Sequence, residues 1–144
     1  MGTVWDSRVM TSSGDSDANK ALIERIYRDG YNGGDESVYR ECYTGDFVHH
    51  SKVTHDVSPG AQGELESMYN FRRAIPDVRF TILGHVAEGD FVATRLQITG
   101  TQVEDFGTVD VGDGRFDRHV LALFRITGGK VAEEWLFIDA ADGP

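Results

Sequence analysis

The chain is poor in cysteine, proline and positive charge. Its 144 residues include one cysteine, Cys42, and three prolines. A single cysteine excludes a disulfide within the chain. We interpret Cys42, which lies between Tyr39 and Tyr43 in a predicted helix, as a buried thiol rather than a catalytic one. The chain has 14 Lys and Arg residues but 24 Asp and Glu residues, which gives a net charge of −10. This balance argues against nucleic acid or an anionic membrane as partner, because both need a basic surface.

Long apolar runs are also missing, and the longest is far too short to span a bilayer. The first residues contain no apolar segment of the kind found in signal peptides. They are instead rich in Ser and Asp. We therefore expect residues 1–16 to form a flexible tail and residues 17–144 to form a single domain in a cytoplasmic protein.

Three helices are predicted in the first half of the chain. Asp17 is the expected N-cap of the first, whose apolar residues recur at helical spacing until "GYNGGD" ends it. The second carries Val38, Tyr39 and Cys42 on one face, and a brief strand follows at 45–50. The third begins after Ser58–Gly60 and ends before Pro76, because the residue preceding a proline avoids the helical conformation.

The second half of the chain predicts strands at 78–88, 91–100, 116–127 and 131–139. Residues 103–114 form an acidic, Gly-rich loop without the ligand spacing of a calcium loop, which we interpret as a solvated loop and a candidate lid. Helices followed by a run of strands indicate an α+β fold, with the helices packed on one face of an antiparallel sheet.

The string "HVLALFRITGGKVAEEWLFID" (119–139) predicts a hairpin whose first strand is apolar at five successive positions. Both of its faces should therefore be covered. One can meet the helices, which leaves Leu121, Leu123, Trp135 and Phe137 as an apolar patch on the other. A homodimer formed through this sheet face would cover the patch. The alternative is a strongly curled sheet that hides both faces within one subunit.

Three strings in order, "NKALIERIYRDGYNGGDESVYRECYTGDFVHH", "FRRAIPDVRFTILGHVAEGDFVATRLQITGTQ" and "LFRITGGKVAEEWLFID", resemble the SnoaL-like polyketide cyclase family of the nuclear-transport-factor-2-like superfamily. The resemblance covers roughly residues 19–139. It implies a curved antiparallel sheet wrapped around N-terminal helices as a cone-shaped barrel, with an apolar cavity for a polyketide-like molecule. It also implies catalysis without metal or organic cofactor, by an acid/base side chain on the last strand and a nearby histidine.

The sequence departs from the family pattern at these catalytic positions. Counted outward from Gly129 and Lys130, the cyclase aspartate falls at Leu136 and the histidine of the preceding strand at Ala122. The Arg-x-Asp pattern of the superfamily's epoxide hydrolases corresponds to Arg95 and Gln97. The superfamily also contains hydroxylases, ketosteroid isomerases and proteins without catalysis, so the fold does not fix the reaction.

The candidate catalytic residues are His49, Glu134 and Arg95. Alternation sends His49 and His50 to opposite faces of their strand, and the resemblance places His49 in the pocket with Tyr31 and Phe47. A carboxylate in an apolar pocket, as expected for Glu134, can act as general acid or base. An ion pair between Glu134 and Arg95 with a purely structural role is the alternative. A metal set of His49, His50 and His55 matches no standard site.

The expected wall of the binding pocket combines aromatic, apolar and polar side chains. The predicted substrate-binding residues are Tyr31, Phe47, His50, Met68, Phe71, Gln97, Arg118, Val120, Ala122 and Leu136. We expect an enzyme that closes a ring in a hydrophobic polyketide by holding its reacting ends together, with limited acid/base help. The alternatives are a cofactor-independent hydroxylase, epoxide hydrolase or isomerase, and a protein that binds a small ligand without catalysis.

Overall fold

The helices come first along the chain and pack on one face of a five-stranded sheet. The structure is a computed structural model that describes residues 15–50, 57–107 and 109–139. Its helical elements are α1 (Ser16–Arg25), a π-helical segment (Ile26–Tyr31), α2 (Ser37–Cys42) and α3 (Ala61–Ala74). Its strands are β1 (Tyr43–His50), β2 (Arg79–Glu88), β3 (Phe91–Thr101), β4 (Arg115–Thr127) and β5 (Lys130–Ile138). No helix among these residues is long and apolar enough to cross a membrane.

Helix α1 begins two residues earlier than the sequence predicts. Asp15, not Asp17, is its N-cap, and the Asp15 carboxylate accepts hydrogen bonds from the backbone N–H groups of Asp17 (3.0 Å) and Ala18 (3.3 Å). Both aspartates have an acceptor suited to a cap, and the side chain that precedes the first turn takes the role. Helix α1 thus starts one residue inside the predicted tail 1–16, of which residues 1–14 lie outside the described part.

The first helix continues into a wider π-helical turn, which the sequence did not predict. The Asn32 N–H donates to the Tyr27 carbonyl five residues back (2.9 Å). The Asn32 side chain then pairs with the backbone of β2, donating to the Phe80 carbonyl and accepting from the Phe80 N–H, both at 2.8 Å. Arg72 of α3 donates to the Tyr31 carbonyl at 3.2 Å. These bonds hold the turn that carries Tyr27 and Tyr31 between the sheet and α3.

The sheet order is β1-β5-β4-β3-β2, and the strands β2 to β5 pair antiparallel with one another. The edge strand β1 runs parallel to β5, with His49 beside Glu134. The predicted antiparallel pairing therefore holds for β2 to β5, whereas β1 is parallel, because it precedes α3 in the chain and joins the sheet through a crossover. The α+β fold with a curved sheet is confirmed.

Strand β4 alternates despite its uniformly apolar centre. Its even-numbered residues from Phe116 to Ile126 are buried against the helices, whereas Leu121 is 52% exposed on the outer face. Phe137 of β5 is 65% exposed on the same face. The apolar outer patch predicted from the sequence is therefore present, and the homodimer that would cover it stays a prediction.

The loop at 103–114 is held against the domain by one aromatic side chain. Phe106 is buried and its ring centroid lies 4.4 Å from that of Phe71. Gln102 donates from its side-chain amide to the carbonyls of Glu104 (2.9 Å) and Val109 (3.0 Å). The described part of this loop is thus anchored at its base, rather than solvated throughout as the sequence suggested.

Candidate active site

A small apolar cavity lies between the inner face of the sheet and the helices. Its volume is about 30 Å³. Aromatic and aliphatic side chains form most of its wall, and His49, Glu134, Ser67 and the Tyr hydroxyls are the polar groups. The lining residues are Tyr27, Tyr31, His49, Ser67, Phe71, Phe80, Leu96, Ile98, Glu134, Leu136 and Ile138. We call this space the inner cavity.

His49 is held in the wall of the inner cavity by a buried carboxylate on α3. Its Nδ1 atom is hydrogen-bonded to Glu64 Oε1. The second oxygen of Glu64 accepts a hydrogen bond from the Tyr31 hydroxyl at 2.8 Å. Burial and the neighbouring Glu64 carboxylate raise the pKa of Tyr31 well above its usual value, so the phenol stays protonated and donates. The chain Tyr31–Glu64–His49 therefore fixes the imidazole, with Nδ1 engaged and Nε2 turned to the other side.

Glu134 lies on the opposite side of the imidazole from Glu64. Its Oε2 atom is 3.8 Å from His49 Nε2, a distance too long for a hydrogen bond. His49 Nε2 is buried and has no hydrogen-bond partner within the described residues. The Glu134 side chain is only 4% exposed. Both residues line the inner cavity, and a substrate oxygen or carbon lying beside the pair would contact both polar atoms.

The protonation of this pair is shifted by burial and by mutual charge. Burial raises the pKa of Glu134 to about 8, His49 opposes this rise and Glu64 adds to it. Burial alone would lower the pKa of His49, but Glu134 and the hydrogen bond to Glu64 outweigh burial and raise it to about 9. The two groups are close enough to titrate as a unit. Between these values the pair holds one proton, which is the state needed for one group to donate while the other accepts.

The same three side chains are the best candidates for a metal among the described residues. His49, Glu64 and Glu134 can each offer one ligand atom, all within 4.8 Å of one another. However, His49 Nδ1 is already bonded to Glu64. This leaves Nε2 and Glu134 as the free donors, one fewer than the three protein ligands of a typical catalytic zinc site. The arrangement fits a hydrogen-bonded acid/base group better than a metal centre.

Five of the predicted site residues line the inner cavity: Tyr31, His49, Phe71, Glu134 and Leu136. Met68, Val120 and Ala122 are fully or almost fully buried in the core, outside this lining. Phe47 lines a second, wider cavity on the other side of His49. Arg118 shares the inner face of β4 as expected, but its guanidinium lies over the Phe116 ring at 5.0 Å, away from the cavity lining.

Three predicted site residues, Arg95, Gln97 and His50, lie on the outer face of the sheet, away from the cavity. Arg95 is exposed, and Gln97, two positions further along β3, donates to Asp117 Oδ1 at 2.9 Å. Leu96 between them is the residue that lines the cavity. The proposed Glu134–Arg95 ion pair is therefore wrong, because strand alternation sends the two side chains to opposite faces.

His50 is likewise on the outer face, where its Nε2 pairs with Glu133 Oε2 at 2.8 Å. Its ring stacks on Trp135, with the centroids 4.9 Å apart. The expected alternation of His49 and His50 is confirmed, and Glu133 lies on the outer face with His50 while Glu134 lines the cavity. Of the three histidines considered as metal ligands in the sequence, His50 faces away from His49, and His55 lies outside the described residues.

Glu64 is the functional residue that sequence reasoning missed. It is 2% exposed and bonds to both Tyr31 and His49. Its position carried a signal, since Glu64, Met68 and Phe71 are spaced by four and three residues and so share one face of α3. A carboxylate in phase with an apolar stripe must find a buried partner, and here that partner is His49.

A model of one protein family matches most of the chain. The sequence model of the family described as SnoaL-like polyketide cyclase matches residues 21–142. No curated protein matches the chain.

Solved structures of similar fold come from several Streptomyces species. Wild-type IdmH of Streptomyces antibioticus, provisionally described as a polyketide cyclase, is 28% identical with a TM-score of 0.70; the match covers 84% of this chain and 91% of that one. TsrD of Streptomyces laurentii gives 24% identity and a TM-score of 0.77, over 88% of this chain and 92% of that one. AclR of Streptomyces galilaeus, provisionally described as a hydroxylase, is 24% identical with a TM-score of 0.69. That match covers 87% of this chain and 91% of that one. The resemblance seen in the sequence is confirmed, and the chain belongs to the SnoaL-like polyketide cyclase family.

Proposed function

We propose that this protein is a cofactor-independent acid/base catalyst that moves a proton at a carbon next to a carbonyl group in a hydrophobic, polyketide-like molecule, leading to ring closure or isomerisation. Family membership supports a polyketide-tailoring role. The observation that carries the finer proposal is the facing pair of His49 Nε2 and Glu134 Oε2, 3.8 Å apart in the wall of an apolar cavity.

The two groups can share the work of forming an enolate. The Glu134 carboxylate takes the proton from the carbon, and the electrons of the broken C–H bond move towards the carbonyl. The N–H at His49 Nε2 donates a hydrogen bond to the developing oxyanion, which lowers the barrier where charge accumulates. The enolate carbon then attacks a second carbonyl in the same molecule, and the alkoxide that forms takes the proton held by Glu134. In an isomerisation, Glu134 instead returns this proton to another carbon of the conjugated enolate. No electron donor or acceptor is needed.

Glu64 and Tyr31 keep the imidazole ready for this role. With Glu64 bonded to Nδ1, the ring cannot turn away, and a positive charge on it is stabilised. This arrangement of a histidine oriented by a carboxylate follows the same logic as the catalytic triads of hydrolases. Glu64 thus joins the acid/base residues predicted from the sequence. Glu134, two residues from Leu136 on the same face of β5, takes the place of the carboxylate lost there.

Proton transfer can be tested without knowing the natural product. The protein is incubated in D₂O with 2-acetylnaphthalene, a neutral aromatic ketone with slow background exchange, and deuterium uptake beside the carbonyl is followed by mass spectrometry. We expect exchange that falls by about 10²–10⁴ in Glu134→Gln and His49→Gln, the usual contribution of a positioned acid or base. The neighbouring variants Glu133→Gln and His50→Gln are matched controls, because both side chains lie on the outer face.

Other outcomes would contradict the proposal. Exchange that survives both site variants but is lost when Leu136→Trp fills the cavity would mean catalysis by positioning alone. Binding of the ketone without any exchange would mean a ligand-binding protein. Loss of exchange on treatment with EDTA, restored by a divalent cation, would mean a metal-dependent reaction.

A further inference from the structure

Three hydroxyl groups line the inner cavity, those of Tyr27, Tyr31 and Ser67. The Tyr31 hydroxyl is engaged, since it donates to Glu64 Oε2 at 2.8 Å. Tyr27 and Ser67 are only 4% and 2% exposed, yet neither hydroxyl makes a hydrogen bond within the part of the chain that the structure describes. Because buried polar groups are nearly always hydrogen-bonded, these two hydroxyls are available to a bound molecule.

Tyr27 carries its hydroxyl on a ring that is held on several sides. The ring stacks against Tyr31 and Phe80, with centroid distances of 5.4 and 5.6 Å. It also meets the Phe124 ring edge-on at 6.4 Å. The π-helical segment that contains Tyr27 is followed by Asn32, whose side chain is bonded to the backbone of β2. A donor fixed in this way loses little freedom when a ligand binds.

Tyr27 lies close to Glu134. Phe124, which the Tyr27 ring contacts, is the direct cross-strand neighbour of Glu134 in the β4–β5 pair. Side chains opposed in this way start about 5 Å apart at Cβ. Burial raises the pKa of Tyr27 well above its usual value, and Glu134 adds more to this rise than any other charged group. The phenol therefore stays protonated and can only donate to an oxygen in the cavity.

The inner cavity thus has donors on two different walls. His49 comes from β1 at one edge of the sheet, whereas Tyr27 packs on Phe80 of β2 at the other edge. A buried water needs roughly 10–15 Å³ of such space, so the cavity of about 30 Å³ holds about two water-sized groups. Two carbonyl oxygens, one at each donor, match both the volume and the polar groups.

We infer that Tyr27 binds the second carbonyl oxygen of a diketone substrate, the carbonyl that the enolate carbon attacks, so that the site favours ring closure over isomerisation. This inference rests on the proposed proton transfer at Glu134 and His49. As the new C–C bond forms, the π electrons of the acceptor carbonyl move onto its oxygen. The Tyr27 O–H donates a hydrogen bond to this developing alkoxide, which then takes the proton held by Glu134. The cyclic product is an isomer of the substrate, and no other reactant is consumed.

Ser67 is the alternative donor to this oxygen. It lies on α3, one turn after Glu64. A serine within a helix can turn its hydroxyl back to the carbonyl four residues earlier, which is that of Gly63. The phenol oxygen of Tyr27 stands at the end of a long rigid ring and has no such carbonyl in its own turn. Tyr27 is therefore the hydroxyl that depends on a ligand for its partner.

A symmetric diketone separates the two steps of the reaction. We use 2,6-heptanedione in D₂O, whose closure gives 3-hydroxy-3-methylcyclohexanone. Deuterium beside the carbonyls, counted by mass spectrometry, reports the enolate, and chromatography reports the ring. In Tyr27→Phe we expect closure to fall about 10² times more than exchange, because losing one donor to an oxyanion costs about 10²–10³ in rate. Enolates then form but return to the ketone.

The other tyrosines provide matched comparisons. Tyr31→Phe should lower exchange and closure by similar factors, since the Tyr31 hydroxyl acts through Glu64 on His49. Tyr69 is 46% exposed on α3, and Tyr69→Phe should change neither rate. Equal losses of exchange and closure in Tyr27→Phe would overturn the inference. So would a selective loss of closure in Ser67→Ala with none in Tyr27→Phe, or exchange without any closure in the wild type.

Infrared difference spectroscopy tests the oxygen position without turnover. In Glu134→Gln, bound 2,6-heptanedione with isotope-labelled carbonyls should show a carbonyl band shifted to lower frequency, and adding Tyr27→Phe should abolish it. If this holds but Glu134→Gln exchanges deuterium normally, the oxygen position stands and the proton-transfer proposal is wrong. If exchange depends on Glu134 and His49 but the shifted band survives Tyr27→Phe, the proton-transfer proposal stands and this inference is wrong.

Discussion

Replacing Glu134 by glutamine should make the protein more stable in alkaline solution and hardly change it in acid. Glutamine has nearly the shape of a protonated glutamate, but it cannot be ionised. Burial raises the pKa of Glu134 from 4.5 in the unfolded chain to about 8 in the folded one. The folded protein therefore keeps a proton that the unfolded chain loses between these values. Wild-type stability is then fully present below pH 4.5 and falls as the pH rises through 8.

The size of this loss follows from the pKa shift. One pKa unit corresponds to about 1.4 kcal/mol, so ionising Glu134 in the folded state costs about 3–5 kcal/mol above pH 8. In a domain of this length, about 1 kcal/mol changes Tm by roughly 2–4 °C. Glu134→Gln should therefore melt about 10 °C higher than wild type at pH 9. At pH 4.5 the two proteins should melt within about 2 °C of each other.

The assay is thermal unfolding followed by circular dichroism at pH 4.5, 7 and 9, with urea unfolding at the same values to give the free energies. Glu133→Gln is the matched control, because Glu133 is paired with Arg125 (2.8 Å) on the outer face and its pKa is lowered. It should give no gain at pH 9. Parallel pH curves for wild type and Glu134→Gln would refute the rise in the pKa of Glu134 on burial.

Three further predictions follow from the same group of residues. Deuterium exchange should show a bell-shaped pH dependence with its maximum between about 8 and 9, the pKa values of Glu134 and His49, where the pair holds one proton; a maximum near pH 5 would contradict this. Tyr31→Phe leaves one oxygen of the buried Glu64 without its donor and should lower the free energy of unfolding by about 1.5–3 kcal/mol in urea titrations; a change below about 0.5 kcal/mol would mean that the hydroxyl contributes nothing there. Phe137→Glu places a charge on the exposed sheet face and should convert the predicted homodimer to a monomer in light scattering; an unchanged mass would locate any dimer contact elsewhere.

The sequence was sufficient to predict most of the fold. Helical spacing, the Gly pairs and Pro76 set the limits of the elements to within one or two residues in most cases. Gly128 and Gly129 both have positive φ (58° and 76°), as a two-residue hairpin turn requires. The parallel pairing of β1 was missed, because periodicity shows that a segment is a strand but not which strand it joins.

The candidate site was only half predictable. His49 and Glu134 were predicted because the family resemblance placed His49 and Leu136 in the pocket, and strand alternation then gave Glu134 the same face as Leu136. Arg95 was assigned wrongly because the face of β3 was inferred by alignment to a motif rather than from burial. The role of Glu64 depends on how α3 packs across the end of β1, a tertiary contact that no local pattern encodes.

The bulge in the β4–β5 hairpin determines which glutamate is buried. The pairing passes from Ile126–Val131 directly to Arg125–Glu133, so Ala132 is an extra residue in β5. If the same residues paired without the bulge, strict alternation from Val131 would turn Glu133 inward and Glu134 outward. Every later residue of β5 would change face with them, so Leu136 would leave the cavity and Trp135 would point into it. The bulge therefore sets the phase of the whole strand, and with it which carboxylate faces His49.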